Sequence, residues 1–279
     1  MDFERECLRG IVRLALTEDR VDFDVTTDSL REHDGPATAR VMAKADGVVS
    51  GTEAFLQTML QVDAGLKITV RKDDGSSVQP GDLVLEISGR ESSILKGERV
   101  ALNFLQRLSG VATLTRQFVE RIKPSKTVLL DTRKTTPGMR YLEKKAVRDG
   151  GGSNHRLNLE QMALLKDNHI EMAGSIAAAV EAVRKRHPEK AIEVEVKNLG
   201  ELEEALALGV ELIMLDNFPL DQVRRAVSVN RGRAKLEISG NVTLENIAEK
   251  AATGVDFISA GALTHSFRSL DLSLDIVRS

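Results

Sequence analysis

After Pro124 the chain repeats one unit: a short apolar run, a polar break, then an amphipathic helical pattern. Thr127 to Asp131 precedes a helical stretch from Met139 to Arg148, and Met162 to Lys166 precedes Ser175 to Arg186. Ile192 to Val196 precedes Glu201 to Leu208, and Glu211 to Leu215 precedes Leu220 to Val227. Leu236 to Ile238 precedes Leu244 to Ala252, and Phe257 to Ser259 closes the series. Runs this short and this apolar are buried on both faces, and helices between them are the crossovers of a parallel sheet. The pattern shows about six strands, with Ser153 to Leu157 a candidate for one more, which favours an incomplete TIM-like α/β barrel over a doubly wound sheet.

The residues before Pro124 read differently. Phe3, Cys7, Leu8, Ile11, Val12, Leu14 and Ala15 recur at near-helical spacing, so residues 2 to 17 are expected to form an amphipathic helix. Asp19 to Gly35 reads as an acidic loop. Ala37 to Ala45, Val48-Val49, Leu66 to Arg71 and Leu83 to Ile87 read as strands, and Glu53 to Val62 as a helix, with turns at Asp73-Asp74-Gly75 and Gln79-Pro80-Gly81-Asp82. Ser92 to Ile122 is helical in pattern, and Gly110 predicts a break near its middle. The expected organisation is a smaller N-terminal α+β domain over residues 1–110, a barrel over 111–266, and a C-terminal tail 267–279 packed back on the first domain.

Each barrel strand ends in polar residues: Arg133-Lys134, Lys166-Asp167-Asn168, Glu195, Asp216-Asn217, Ser239-Gly240-Asn241 and Gly261. The carboxyl ends of parallel barrel strands share one face, where such barrels do chemistry. An Arg-Lys pair after a strand is most often solvated loop charge. Here it lies close to three consecutive glycines, His155 and Arg156, and a second strand also ends in a lysine. The early strands supply cations, suited to carboxylates or a pyrophosphate. The middle ones supply carboxylates, suited to ribose hydroxyls or to a magnesium ion shared with substrate phosphates. The last ones supply small residues in turns, whose backbone amides suit a phosphate. Pairing of Glu195 and Asp216 with Lys166 as purely structural ions is the alternative.

Composition narrows the partners. The 279 residues carry a formal net charge of −3, no Trp and one Tyr, which argues against general nucleic-acid binding and base-stacking platforms. Cys7 is the only cysteine, so an internal disulfide or thiolate metal cluster is excluded. No apolar run approaches the roughly 20 residues of a membrane helix, and the acidic start MDFERECLRG lacks the features of a secretory signal, so a cytoplasmic location is expected. Dinucleotide, Walker, GxSxG and HExxH motifs are absent, and no nucleophile stands near the cluster.

The runs DTRKTTPGMR, GGGSNHR, KDNHI, EVEV, LDN, EISGN and SAGALTHS, with ERVALNFLQRLSGVAT upstream, resemble the quinolinate phosphoribosyltransferase family from about Gly97 to Ser266. Asp149 and Ser153 stand where that family often carries other residues, at positions that flank the motif. The resemblance implies an enzyme of NAD biosynthesis that joins quinolinate and phosphoribosyl pyrophosphate, with Mg²⁺, into nicotinate mononucleotide, CO₂ and pyrophosphate. It implies a homodimer with shared active sites. It assigns Arg133, Lys134, His155, Arg156 and Lys166 to substrate anions, and Arg99 to the same task from the partner subunit. Glu195 and Asp216 fall to the ribose and metal, and Ser239, Gly240, Asn241, Gly261 and His265 to phosphate. Lys134, Lys166, Glu195 and Asp216 are the expected catalytic set. The rival readings are a paralogue of this fold encoded with molybdate-transport genes, a phosphoribosyltransferase taking the monocarboxylate nicotinate, and a non-catalytic anion-binding barrel.

Overall fold

The structure, a computed structural model, describes residues 2–277. The chain divides into two compact units, one comprising residues 1–116, 135–151 and 266–279, the other 117–134 and 152–265.

The first unit opens with α1 (Asp2–Glu18), α2 (Val25–Ser29), β1 (Pro36–Ala43), β2 (Gly47–Val48), α3 (Thr52–Val62), β3 (Lys67–Val70), β4 (Ser77–Val78), β5 (Leu83–Arg90) and α4 (Glu91–Ile122). Its main sheet has four antiparallel strands in the order β12-β1-β5-β3, where β12 is Leu272–Val277, and β2 pairs with β4 in a two-stranded ladder. Val41, Leu85 and Ile87 from the sheet pack with Phe55 and Met59 of α3 and Leu102 and Leu105 of α4 in one apolar core.

Two local expectations fail here. The stretch 19–35 is not an open loop but a series of helical turns. Asp24 starts α2 by accepting the backbone N–H groups of Thr26 and Thr27, both at 3.0 Å, which satisfies donors a helix start otherwise leaves bare. Helix α4 runs unbroken for 32 residues through Gly110. That glycine is a contact point: a Cβ there would collide with the carbonyl oxygen of Arg268, so the returning C-terminal segment presses on the helix where it has no side chain. The packing outweighs the helix propensity lost, about 1 kcal/mol.

The second unit is the repeat. Strands β6 (Val128–Leu130), β7 (Ala163–Leu165), β8 (Ile192–Val196), β9 (Leu212–Asp216), β10 (Lys235–Ser239) and β11 (Phe257–Ser259) form one parallel sheet in the order β6-β11-β10-β9-β8-β7. The helices between them are α6 (Asp167–Ala173), α7 (Ile176–Arg186), α8 (Leu199–Ala207), α9 (Leu220–Asn230) and α10 (Ile247–Ala251), and α11 (Ala262–His265) follows β11; α5 (Arg140–Asp149) follows β6 but clusters with the first unit. Alternate strand residues, among them Val194, Ile213, Leu215 and Ile238, are buried, and the helices carry matching buried stripes such as Leu202, Ala205 and Leu206. The segment Ser153 to Leu157 supplies no full strand. It contributes a single parallel bridge, Ser153 to Leu130, because residues 154–156 turn their polar groups inward instead of along a ladder. His155 beside β6 reaches Glu193 on β8 and Glu237 on β10. Side chains of strands so far apart in the sheet order meet only if the sheet is rolled, and with six strands the roll is an incomplete barrel.

Candidate active site

The barrel interior is polar because the strands alternate. In β8 the apolar residues Ile192, Val194 and Val196 face one way and Glu193 and Glu195 the other; in β10 Glu237 and Ser239 share the face opposite Leu236 and Ile238. A cavity of about 560 Å³ opens at the carboxyl ends of these strands. Of the residues expected there, it brings together Arg133, Lys134, His155, Arg156, Lys166, Glu195, Asp216, Ser239, Gly240 and Asn241.

Short local bonds hold the cations in place. The Lys134 N–H donates to Thr132 Oγ1 at 3.0 Å, and Thr264 Oγ1 donates to the Lys134 carbonyl at 2.9 Å. Asp131 is fully buried and accepts from the His155 N–H at 2.9 Å and from Asn154 Nδ2 at 2.6 Å, which ties residues 154–156 to the end of β6. Arg156 Nη1 donates to the Met162 carbonyl at 3.1 Å. Burial first, and then the nearby Arg133, pull the Arg156 guanidinium below its ordinary value, while Glu193 opposes them. Two guanidinium groups close enough to repel call for a ligand with more than one negative charge. Lys166 turns the chain into α6, its N–H donating to His169 Nδ1 at 3.1 Å, and its Nζ lies 2.7 Å from Glu195 Oε2.

The opposite wall is built from backbone. Asn217, Gly240 and Asn241 all adopt left-handed conformations, with φ of 53°, 91° and 48°. Asn241 Nδ2 donates to Asn217 Oδ1 at 3.1 Å, Asn246 Nδ2 donates to the Asn241 carbonyl at 2.8 Å, and Lys250 Nζ donates to the Gly240 carbonyl at 3.3 Å. A Cβ on Gly240 would collide with Asn217 Oδ1, so only glycine lets the two turns close on each other. Gly261 and His265 are not among the residues that line the cavity; a Cβ on Gly261 would meet His265 Nε2 and the side chain of the lining residue Lys134 at Cδ, both at 3.0 Å.

Residues 111–275 match the family model described as quinolinate phosphoribosyl transferase, C-terminal domain, and residues 24–109 match that of its N-terminal domain. The chain belongs to the quinolinate phosphoribosyltransferase family. It is 42% identical to the nicotinate-nucleotide pyrophosphorylase (carboxylating) of Mycobacterium leprae, over 99% of each chain. It is 45% identical to the probable enzyme of that name from Synechocystis, over 94% of this chain and 90% of the other. The nicotinate-nucleotide pyrophosphorylase structure from Francisella tularensis superposes with a TM-score of 0.95 at 42% identity, covering 98% of this chain and 96% of that one.

Arg99 is not among the cavity's residues. It lies on α4 in the first unit, 61% exposed, with Glu98 3.8 Å away, and lines a groove of about 320 Å³ with α1. Conversely, the sequence leaves two residues of the site, and the role of a third, out of view. Asn217 is visible there as a strand-end residue, but not as the partner of Gly240. Glu193 and Glu237 are both fully buried. With His155 they form a group whose ligand-type atoms lie within 4.8 Å of one another. Their signal is an acid placed two residues before a strand-end polar group, in EVEV and EIS.

Proposed function

We propose that this chain transfers the phosphoribosyl group of phosphoribosyl pyrophosphate to the ring nitrogen of quinolinate and releases CO₂ and pyrophosphate, forming nicotinate mononucleotide in NAD biosynthesis. The observation that carries this reading is the pairing of Arg133 with Arg156 in one cavity, beside Lys134 and Lys166. A pyridine with two adjacent carboxylates suits two neighbouring guanidinium groups better than a monocarboxylate does. Positively charged groups also keep the ring electron-poor while the 2-carboxylate departs, and the cavity walls hold the sugar's C1 in line between ring nitrogen and leaving pyrophosphate.

The braced turn Ser239-Gly240-Asn241 is the candidate cradle for the 5-phosphate, with Gly261 and His265, beside Lys134, assigned to the same group. Glu195 and Asp216 both line the cavity, on the neighbouring strands β8 and β9, and offer hard carboxylate oxygens. That donor set fits Mg²⁺, whose remaining positions substrate oxygens and water would fill. Bound there, the ion would neutralise charge on the pyrophosphate. Homodimer formation with Arg99 contributed to the partner's cavity, and a cytoplasmic location, belong to the same reading. Among the described residues no helix is long and apolar enough to cross a membrane.

The deciding experiment mixes the protein with quinolinate, phosphoribosyl pyrophosphate and Mg²⁺ and follows nicotinate mononucleotide by mass. Turnover is expected with quinolinate and is lost when the metal is chelated. Equal turnover of nicotinate would refute the substrate assignment.

A further inference from the structure

At the floor of the cavity, which His155 and Glu237 help to line, lies a group of buried carboxylates to which the reading above gives no step. Glu193 and Glu237 are completely buried, and one imidazole serves both: His155 Nε2 is 2.9 Å from Glu193 Oε2 and 3.6 Å from Glu237 Oε2. The other ring nitrogen is committed, because the Arg156 backbone N–H donates to His155 Nδ1 at 2.8 Å. A nitrogen that accepts carries no proton, so the imidazole is neutral and its one proton sits on Nε2, donated to Glu193.

Glu237 then receives no proton from His155. Neither of its oxygens has a hydrogen-bond partner among the described residues, although Ser259 faces it. Level with it on the flanking strands are Met214 of β9 and Phe257 of β11, neither of which titrates. The charged or titratable groups that act on it are Glu193, His155 and Lys166. An ionised carboxylate in that position is desolvated and adjacent to a second one, the arrangement in which one carboxyl keeps its proton.

We propose that Glu237 is a positioning residue held as the neutral acid, so that the floor of the cavity carries one negative charge, on Glu193, which fixes the His155 tautomer and through it the backbone of Arg156. Burial, and then the charge on Glu193, push the Glu237 carboxyl up to about 8 even against a positive charge on His155, the Ser259 hydroxyl and Lys166; a neutral His155 opposes less, so the upward direction stands. Loss of this proton puts a second negative charge beneath Arg156 and Lys166 and weakens their hold on anionic substrates. His155 thereby acts through Glu193 and the Arg156 main chain, with both ring nitrogens engaged inside the protein. The inference rests on the anionic-substrate reading of the cavity.

The test compares wild type with Glu237→Gln, which has the shape of the neutral acid and cannot ionise. The readout is the ratio of the KM for quinolinate at about pH 9 to that at about pH 7 within each protein, so changes in absolute rate cancel. The ratio is expected to reach at least about fivefold in wild type and to stay under about twofold in the variant. Equal ratios overturn the proposal. Infrared titration without substrate gives a second, independent readout. Wild type should show a protonated-carboxyl band that persists at about pH 7 and fades through about pH 8. Absence of the band in wild type overturns the proposal whatever the substrate proves to be, and also covers a variant that does not fold. Stoichiometric metal in purified wild type, lost in Glu237→Gln, overturns it too, since Glu237 would then be a ligand. Failure of quinolinate turnover with the infrared band intact would instead refute the substrate reading alone.

Discussion

Lys166 Nζ and Glu195 Oε2 lie 2.7 Å apart across the ends of β7 and β8, with the lysine side chain 45% exposed and the glutamate 12%. A pair open to solvent contributes little to stability. Its geometry does hold a cation and a carboxylate at fixed positions on the cavity wall. Replacement of Lys166 by Ala is therefore expected to leave the melting temperature nearly unchanged. It should remove a charge-assisted substrate contact of about 1.5–3 kcal/mol, lowering kcat/KM by roughly tenfold to a hundredfold. Kinetics and thermal melts on the same sample check both halves. A large loss of stability with activity retained would make the pair structural.

The turn at Gly240 makes a second forecast. Its φ of 91° and the collision of an added methyl group with Asn217 Oδ1 act independently. Gly240→Ala is expected to cost about 1–3 kcal/mol through backbone strain alone, and to raise the KM for phosphoribosyl pyrophosphate more than that for quinolinate. Adding Asn217→Ala removes the clash but not the strain, so stability should return only in part. Complete recovery would show that crowding, not the left-handed backbone, makes glycine necessary.

The strand-end residues were legible because they interrupt apolar runs, and the face they share follows from the parallel order of the strands. Glu193 and Glu237 were not, since an acid inside an apolar run has the same pattern whether it points to solvent or inward. Only the inward roll of the sheet decides. Gly110 failed for a related reason: helix propensity is local, whereas the carbonyl of Arg268 arrives from a segment far along the chain. The start of α2 was visible in principle, in Asp24 two residues before the pair Thr26 and Thr27, but short capped turns are masked by acidic loop composition.

Glu237 also makes stability depend on pH. Its carboxyl lies at about 8 in the folded protein against an ordinary 4.5, so between those values the folded state binds a proton that the unfolded chain has released. Stability then falls as pH rises across this window, the opposite of a salt-bridged carboxylate. Glu237→Gln removes the dependence. The melting temperatures of variant and wild type should diverge progressively from about pH 5 to about pH 8, with the variant gaining. A constant offset across that range would mean that Glu237 titrates in its ordinary range.

Arg99 provides the test of assembly. It stands on α4, exposed, in the unit that does not hold the cavity, so any catalytic service must be rendered to a site whose other members come from elsewhere. In the proposed two-fold dimer, Arg99 completes the partner's cavity. Arg99→Ala and Lys166→Ala are each expected to lose about tenfold or more in activity alone. Refolded together, they pair at random into about half heterodimers, and in each heterodimer one of the two sites receives both intact residues, so about one quarter of wild-type activity should return. A site completed within one chain leaves every site damaged and restores nothing. Activity that stays at the level of the separate variants would retire the shared-site arrangement and leave Arg99 as a solvated charge on its helix.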